Sequence, residues 1–384
     1  MKFESSSAIS KGLGNALETI AEVGSLPAIR GQWYFVNPTG GADTADGRTI
    51  DTAVANIKAA YDKASDGDGI ALLSYGATSA ATTSYQYQSL LWAKNGITVF
   101  GVAAPVSMFG RARIANKTLV TTATLTAVAD TSISRATGSF VTDGWKVGMK
   151  FITNVNAAAI TVVTVSALVI TVTGTLTVGE HTSMTSVNAN LITVSGSNNR
   201  FYNVHMFNGG TNALEIGGLD VTGLRNYFEN CHIVGGAGAA TTANNYSLKL
   251  DTTAEENTFR SCSIGSNTFA QGDNAAADIV LTGVVKRNRF YDCEIMAMVS
   301  AGTAHAAVKS ISTSGGAPTV FKNCLFNYGL STTTPAALHI VSGSSDKIVL
   351  MDCMAVKATG WGTQIYNNAV AAAASAAGGN ATTA

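Results

Sequence analysis

From residue 190 onward, short runs of alternating apolar and polar residues are separated by clusters of Gly, Ser, Thr and Asn. Asn190-Leu-Ile-Thr-Val194, Asn212-Ala-Leu-Glu-Ile216, Tyr246-Ser-Leu-Lys-Leu250, Asp278-Ile-Val-Leu281 and Ala337-Leu-His-Ile340 have strand length and turn-forming flanks. Between them a second pattern recurs: Asn-Tyr-Phe-Glu-Asn-Cys-His-Ile, Asn-Thr-Phe-Arg-Ser-Cys-Ser-Ile, Asn-Arg-Phe-Tyr-Asp-Cys-Glu-Ile and Thr-Val-Phe-Lys-Asn-Cys-Leu-Phe. Phe228, Phe259, Phe290, Phe321 and Leu350 stand three residues before Cys231, Cys262, Cys293, Cys324 and Cys353, and Phe201 stands three before Val204. The cysteines are 31, 31, 31 and 29 residues apart. A fixed period of this size marks a stacked repeat. No unit has room for a helix pair, so the pattern predicts one turn of a parallel β-helix per repeat, with equivalent residues about 4.8 Å apart.

Each column of the repeat has its own chemistry. The residue before the cysteine place is Asn203, Asn230, Ser261, Asp292, Asn323 or Asp352, types that form local hydrogen bonds and suit a sharp, left-handed bend between two strands. Phe before that bend and Cys after it are expected to point inward as adjacent stacks. The place between Phe and the bend holds Tyr202, Glu229, Arg260, Tyr291, Lys322 and Met351, a variety that predicts an outward face. The thiols are read as reduced and buried, because Cys packs as a small hydrophobe. An odd cysteine count and the lack of any Cys-x-x-Cys pair argue against a disulfide framework or a metal site.

The earlier chain is different. Ile9, Leu13, Leu17, Ile20 and Ala21 recur at helical spacing, so residues 1–30 are read as an arm or anchor. Trp33-Tyr-Phe-Val36, Ile70-Ala-Leu-Leu73 and Asn95-Gly-Ile-Thr-Val-Phe100 read as strands. Asp51 is the expected cap of a helix presenting Val54, Ile57, Ala60 and Tyr61 on one face. Residues 118–188 break the coil pattern and read as a small inserted β domain, with a strand pair over 160–176 turning near Ser166-Ala-Leu168. Coils resume over 189–368, and the Ala-rich residues 369–384 read as a tail.

Composition narrows the functional classes. Charged residues are 12% of the 384, against roughly a quarter in an average globular protein. Lys+Arg and Asp+Glu are both 24, which gives no electrostatic case for nucleic acid or an anionic membrane. The start of the chain shows no signal-peptide h-region and no stretch reads as a membrane span, so export as an adhesin is the least favoured reading.

A Tyr-Phe-Val strand, the Gly/Asp loop Asn37–Gly47, an amphipathic helix and then Gly69-Ile-Ala-Leu72 resemble the opening segment of pectin-lyase-like right-handed β-helices. The resemblance covers residues 31–117 and 189–368, and in that family the helix caps the first open turn. The Ser139-Phe140, Asp143-Gly-Trp145 and Val147-Gly-Met149 rhythm of the insert resembles a small β module of tailed-bacteriophage virion proteins. The expected fold is therefore all-β: a single-stranded right-handed parallel β-helix with an N-terminal capping helix and an inserted small β domain. The resemblance implies a virion protein, assembled in the host cytoplasm, of head-decoration, head-fibre or tailspike type. It also implies a homotrimer, contacts with other virion proteins through the N-terminal arm, and a possible host-surface glycan as ligand.

Candidate chemistry is sparse. The acids of the repeats are scattered and form no evident pair for glycoside cleavage, so no catalytic residue is assigned, and a polysaccharide lyase or hydrolase is the alternative to a non-enzymatic protein. Asp43 and Asp46 are read as turn residues in preference to Ca²⁺ ligands, and Glu255-Glu256 as a solvated pair. His205 and His232 share a column and are expected on the outer wall, as surface histidines with too few partners for zinc. No metal or cofactor is expected.

Overall fold

In the computed structural model each repeat lays one strand into each of three parallel sheets, and the chain winds as a right-handed parallel β-helix. The structure describes residues 29–73, 83–86, 88–102, 111–209, 214–235, 245–251, 253–271, 277–283, 285–299, 305–311, 318–332, 336–340, 348–358 and 380–381. Residues 1–28 of the arm expected over 1–30, and nearly all of the Ala-rich tail, lie outside these. Sheet A has nine strands, beginning with Trp33–Val36 and ending with Ile348–Met351. Sheet B includes Ala112–Asn116, Val204–Phe207 and His232–Val234, and sheet C includes Asn190–Val194, Gly217–Val221 and Tyr246–Leu250.

Register follows the sequence period. Phe201 pairs with Phe228, Phe228 with Phe259, Phe259 with Phe290 and Phe290 with Phe321 across parallel strands. Their rings stack at centroid distances of 4.9, 4.7, 4.7 and 4.4 Å with planes within 6°. This approaches the strand spacing itself, as it must when identical side chains occupy identical rotamers in successive turns. The Phe side chains and all five cysteines are fully or almost fully buried, and the thiols are unbridged. Each bend residue, Asn203, Asn230, Ser261, Asp292, Asn323 and Asp352, has φ between 49° and 56°, so all six are left-handed.

A second left-handed bend per coil escaped the sequence reading. Asn198, Arg225, Glu256 and Arg287 have φ of 60°, 55°, 59° and 55°. Arg and Glu are not turn-forming types, so nothing in their identity announces the bend. What holds it is the next residue, a buried Asn199, Asn226, Asn257 or Asn288. The backbone N–H groups of Asn199, Asn226 and Asn257 donate to the Oδ1 of the asparagine one coil further on, at 2.9, 2.8 and 3.0 Å. The Nδ2 groups of Asn226, Asn257 and Asn288 donate to carbonyls of Gly196, Gly223 and Ala254. The ladder satisfies main-chain groups that the bend removes from the sheets. An asparagine two residues before each of the first four phenylalanines was its available signal.

Two local readings are corrected. The strand expected at Asn212–Ile216 is Gly217–Val221, because only that register pairs with both Asn190–Val194 and Tyr246–Leu250. Gly217-Gly218 looks like a turn, but a Cβ on Gly217 would lie 2.3 Å from the Tyr246 ring, so the strand needs a glycine there. The helix is Ile57–Lys63, capped by the Asn56 side chain accepting from Ala59 N–H, not by Asp51. Val54 is held outside it by a bridge to Val36. Tyr61 of this helix stacks on Trp92 at 4.4 Å, and Trp92 lies 5.3 Å from Phe201, so the helix joins the aromatic stack.

Between Ala112–Asn116 of sheet B and Asn190–Val194 of sheet C, six antiparallel strands from Val120 to Ser186 close into a barrel. Its core, including Phe140, Trp145, Met149, Phe151 and Met184, shares no residue with that of the coil. Ser186 and Leu119 clamp the barrel's two ends: Leu119 N–H donates to Ser186 Oγ at 2.7 Å and Ser186 N–H to Leu119 O at 2.8 Å. Ser166 to Leu168 connects Ile160–Val165 to Val169–Thr173. No helix among the described residues is long and apolar enough to cross a membrane.

Candidate functional site

The outward face of sheet A carries the densest chemistry on the coil. Because side chains alternate across a strand, the residues flanking each buried Phe point outward. One resulting column is Arg200, Tyr227, Thr258 and Arg289, and the other is Tyr202, Glu229, Arg260, Tyr291 and Lys322. Phe100, Tyr202 and Tyr227 form a continuous aromatic run, with centroids 6.4 and 5.8 Å apart, while Tyr291 stands apart beyond Arg260. The Tyr227 hydroxyl donates to Glu229 Oε2 at 2.9 Å. Burial, with that hydrogen bond next, pushes its pKa up to about 12. Among the described residues, no carboxylate lies within 4.0 Å of Arg200, Arg260, Arg289 or Lys322.

Two clefts open along the bend beside this face. One, of ≈570 Å³, is lined by Arg30, Asp66, Asn95, Thr98, Asn198 and Arg200. The other, of ≈330 Å³, is lined by Arg225, Glu256, Thr258, Arg287 and Arg289. Glu255 and Glu256 stay partly exposed but are also ion-paired. Arg225 Nε meets Glu256 at 2.6 Å, Arg287 reaches Glu256 at 2.9 Å and Glu255 at 2.8 Å, and Lys286 lies 3.6 Å from Glu255. Residues that are neighbours in a loop thus become rungs of an ion ladder, because their partners stand one coil above or below.

Sheet C brings together acids that the sequence leaves scattered. Lys249 Nζ lies 3.5 Å from Asp220 and 3.1 Å from Asp251. Burial raises the Asp220 carboxyl above its usual range, with Tyr246 and Lys249 acting against that shift. Lys249 is half-buried, yet its pKa is raised because the two carboxylates outweigh the cost of desolvation. An ammonium between two carboxylates offsets one of their two charges and ties both in place, which suits structure better than proton transfer. Asp278 and His305 form another pair, with both side chains fully buried and His305 Nε2 3.1 Å from Asp278 Oδ2.

The histidines depart most from expectation. His181, His205, His232 and His305 are all buried, at 1–5% exposure, and the His339 side chain lies outside the described residues. His205 and His232 do stack, with centroids 4.4 Å apart, but beneath other side chains and not on the open wall. Burial drives the pKa of His205 well below the usual imidazole value and that of His232 to about 4, with Arg111 and Arg113 adding to both shifts.

The remaining acids of the first turns serve the backbone. Asp43 Oδ1 accepts from Ala55 and Asn56 N–H, and Asp46 Oδ1 from Arg48 N–H and the Thr52 hydroxyl. Among the described residues no three His, Cys, Asp or Glu side chains are placed to hold a metal ion. Burial raises the Cys231 and Cys262 thiols well above their usual range, opposite to the shift an attacking thiolate needs.

No family model matches the chain, and no curated protein matches it in sequence. Among solved structures, pectate lyase Pel9A shares 13% identity over 88% of this chain and 73% of its own, at a TM-score of 0.46. A pectin methylesterase from Aspergillus niger shares 11% over 89% and 92%, at 0.41. The tailspike protein gp49 from Pseudomonas phage LKA1 shares 11% over 78% and 71%, at 0.22. These are likenesses of fold.

Proposed function

We propose that the chain is a non-enzymatic structural protein of a bacteriophage virion, a capsid decoration protein or head fibre whose coil holds the barrel outward. The observation that carries this reading is the Phe stack from Phe201 to Phe321, which runs unbroken through the coil beside a column of buried, unbridged thiols. Each turn braces its neighbours, and stability sums along the rod. The acids of the outer wall support it as well: Asp220, Asp251, Glu229, Glu255 and Glu256 are each engaged by a cation or hydroxyl. The barrel is the contact module of this reading. Among the described residues, nine of the fifteen exposed large hydrophobic side chains lie on it, among them Val128 at 71% and Val178 at 62% exposure. Exposed apolar side chains clustered on one module mark a surface that meets a partner. The virion assignment itself rests on the Asp-Gly-Trp rhythm of that module. The oligomer in this reading is a homotrimer of parallel coils.

The test is direct. Antibody labelling and peptide mass spectrometry of purified particles should find the chain on the head, and light scattering of the purified protein should give three chains. Absence from particles overturns the reading.

A second reading is favoured by the sheet A face: a tailspike or tail fibre that binds or depolymerises a host-surface polysaccharide. Aromatic rings flanked by unpaired cations suit sugar stacking and hydrogen bonding. Incubation with a panel of bacterial polysaccharides separates the two. New reducing or unsaturated ends at turnover rates would replace the structural reading with the enzymatic one.

A further inference from the structure

We propose that Arg111, His205 and His232 form a binding site for a small anion, an oxyanion or carboxylate group, on the outward side of sheet B. The inference does not depend on the virion reading. Parallel register sets Arg113, His205 and His232 one above another in three successive coils. Arg111 precedes the first of these strands and is 7% exposed, while His205 and His232 are 5% and 4% exposed.

Arg111 is a buried guanidinium with an incomplete set of acceptors. Its Nε and Nη2 share a single acceptor, Asn230 Oδ1, at 3.3 and 2.7 Å, and its Nη1 is buried with no hydrogen-bond partner. His205 Nε2 and His232 Nδ1 are buried without partners as well. His232 Nε2 meets the carbonyl of Gly265 at 3.0 Å, which makes it the protonated nitrogen and leaves a bare lone pair on Nδ1. Each of these three neighbouring residues thus carries a buried polar atom without a partner, where native structures leave few.

No carboxylate among the described residues lies within 4.0 Å of Arg111. Beyond them, residues 74–82, 103–110 and 236–244 contain neither Asp nor Glu, and residues 272–276 contain one acid, Asp273. A buried cation without a counter-charge is strongly unfavourable. Water would supply the missing acceptor but leave the charge uncompensated. An anion supplies both. It would accept from Arg111 Nη1 and, once the imidazoles take up a proton, from His232 Nδ1–H and His205 Nε2–H. Deep burial limits the ligand to a single small group. Binding is therefore coupled to proton uptake. The groups facing the histidines are Arg111, just before the first strand, Arg113 on it, and Ser263 and then Glu294 in the same outward column. Glu294 is engaged by Asn327 Nδ2 at 2.8 Å.

The experiment uses the full chain, dialysed into a zwitterionic buffer with chloride as the only inorganic anion. Inorganic phosphate and acetate are titrated separately by calorimetry at pH 6 and pH 8, while histidine-selective NMR follows the imidazole signals. The expected result is saturable binding of one anion per chain, tighter at pH 6, with shifts in the His205 and His232 resonances. Binding of phosphate alone assigns an oxyanion site, and binding of acetate alone a carboxylate site. Arg111→Met should weaken binding at least tenfold and keep its thermal transition in chloride, because it removes an unpaired charge. Should that variant not fold, His205→Phe with His232→Phe keeps the stacked rings and removes the nitrogens, with the same expected loss. Two outcomes overturn the proposal. One is no saturable binding of either probe. The other is binding that survives these substitutions or appears only in Asp273→Asn, which would make Asp273 the resident counter-charge.

Discussion

In the coil, side chains of one type face copies of themselves: Phe on Phe, Cys on Cys and Asn on Asn, each one turn away. In the barrel no such repetition exists. Phe140, Trp145, Phe151 and Met184 come from different strands and fill one closed interior, with Trp145 set edge-on to Phe151 at 77°. Both are β-structures of similar residue types, yet they spend polarity differently. The coil takes Asn to its interior and hides most of its apolar surface, whereas the barrel pairs its buried polar groups with unlike partners, as His181 with Thr153, and exposes valines outside. Repetition lets a buried polar group be satisfied by its own copy, and a closed barrel has no copy to offer.

The comparison predicts where damage stays. Phe290→Ala removes the middle of the stack and should cost about 3–5 kcal/mol, lowering the coil transition while amide exchange in the barrel stays unchanged. Phe151→Ala should cost a similar 3–5 kcal/mol but open the barrel alone. If either variant unfolds both regions at one temperature, the two cores are one cooperative unit. Asn257→Ala removes the side-chain bonds of the ladder in both directions, and each buried group left unpaired should cost about 1–3 kcal/mol, read by denaturant unfolding. Nothing equivalent is expected from an exposed barrel valine such as Val178.

Smaller effects sharpen the contrast. Asp292 sits at φ 55°, so Asp292→Val should cost about 1–2 kcal/mol while Asp292→Gly stays close to wild type. Acid should weaken the coil through His232, whose folded pKa near 4 lies below the 6.5 of the unfolded chain. The unfolded state then binds more protons between those values. Stability is full above pH 6.5 and falls as the pH drops toward 4. Urea unfolding at several pH values should show a shallower slope for His232→Gln, and an unchanged slope would place the proton uptake elsewhere.

Much of the coil was legible because its period is written in bulky, rare residues. Phe and Cys at near-constant spacing fix the repeat, and Asn or Asp before the Cys fixes one bend. The second bend was not legible: Arg225, Glu256 and Arg287 take a left-handed backbone against their own preferences, held by the asparagines that follow. The face of sheet A was partly legible, since the variety of Tyr202, Arg260 and Lys322 marked it as outward. The histidines were misjudged because stacking in one column was recognisable, whereas their covering by other elements was not.

The sequence alone determined the repeat length and the inward and outward columns. These depend on residues close along the chain and on a period of two within each strand. Only the tertiary structure decided that Asp220 and Asp251 share Lys249, that Glu255 and Glu256 join an ion ladder, and that Arg111, His205 and His232 are all buried. Winding places residues some thirty positions apart within a strand spacing of one another. Which charges then neutralise each other depends on register and on covering loops, and no local pattern along the chain encodes either.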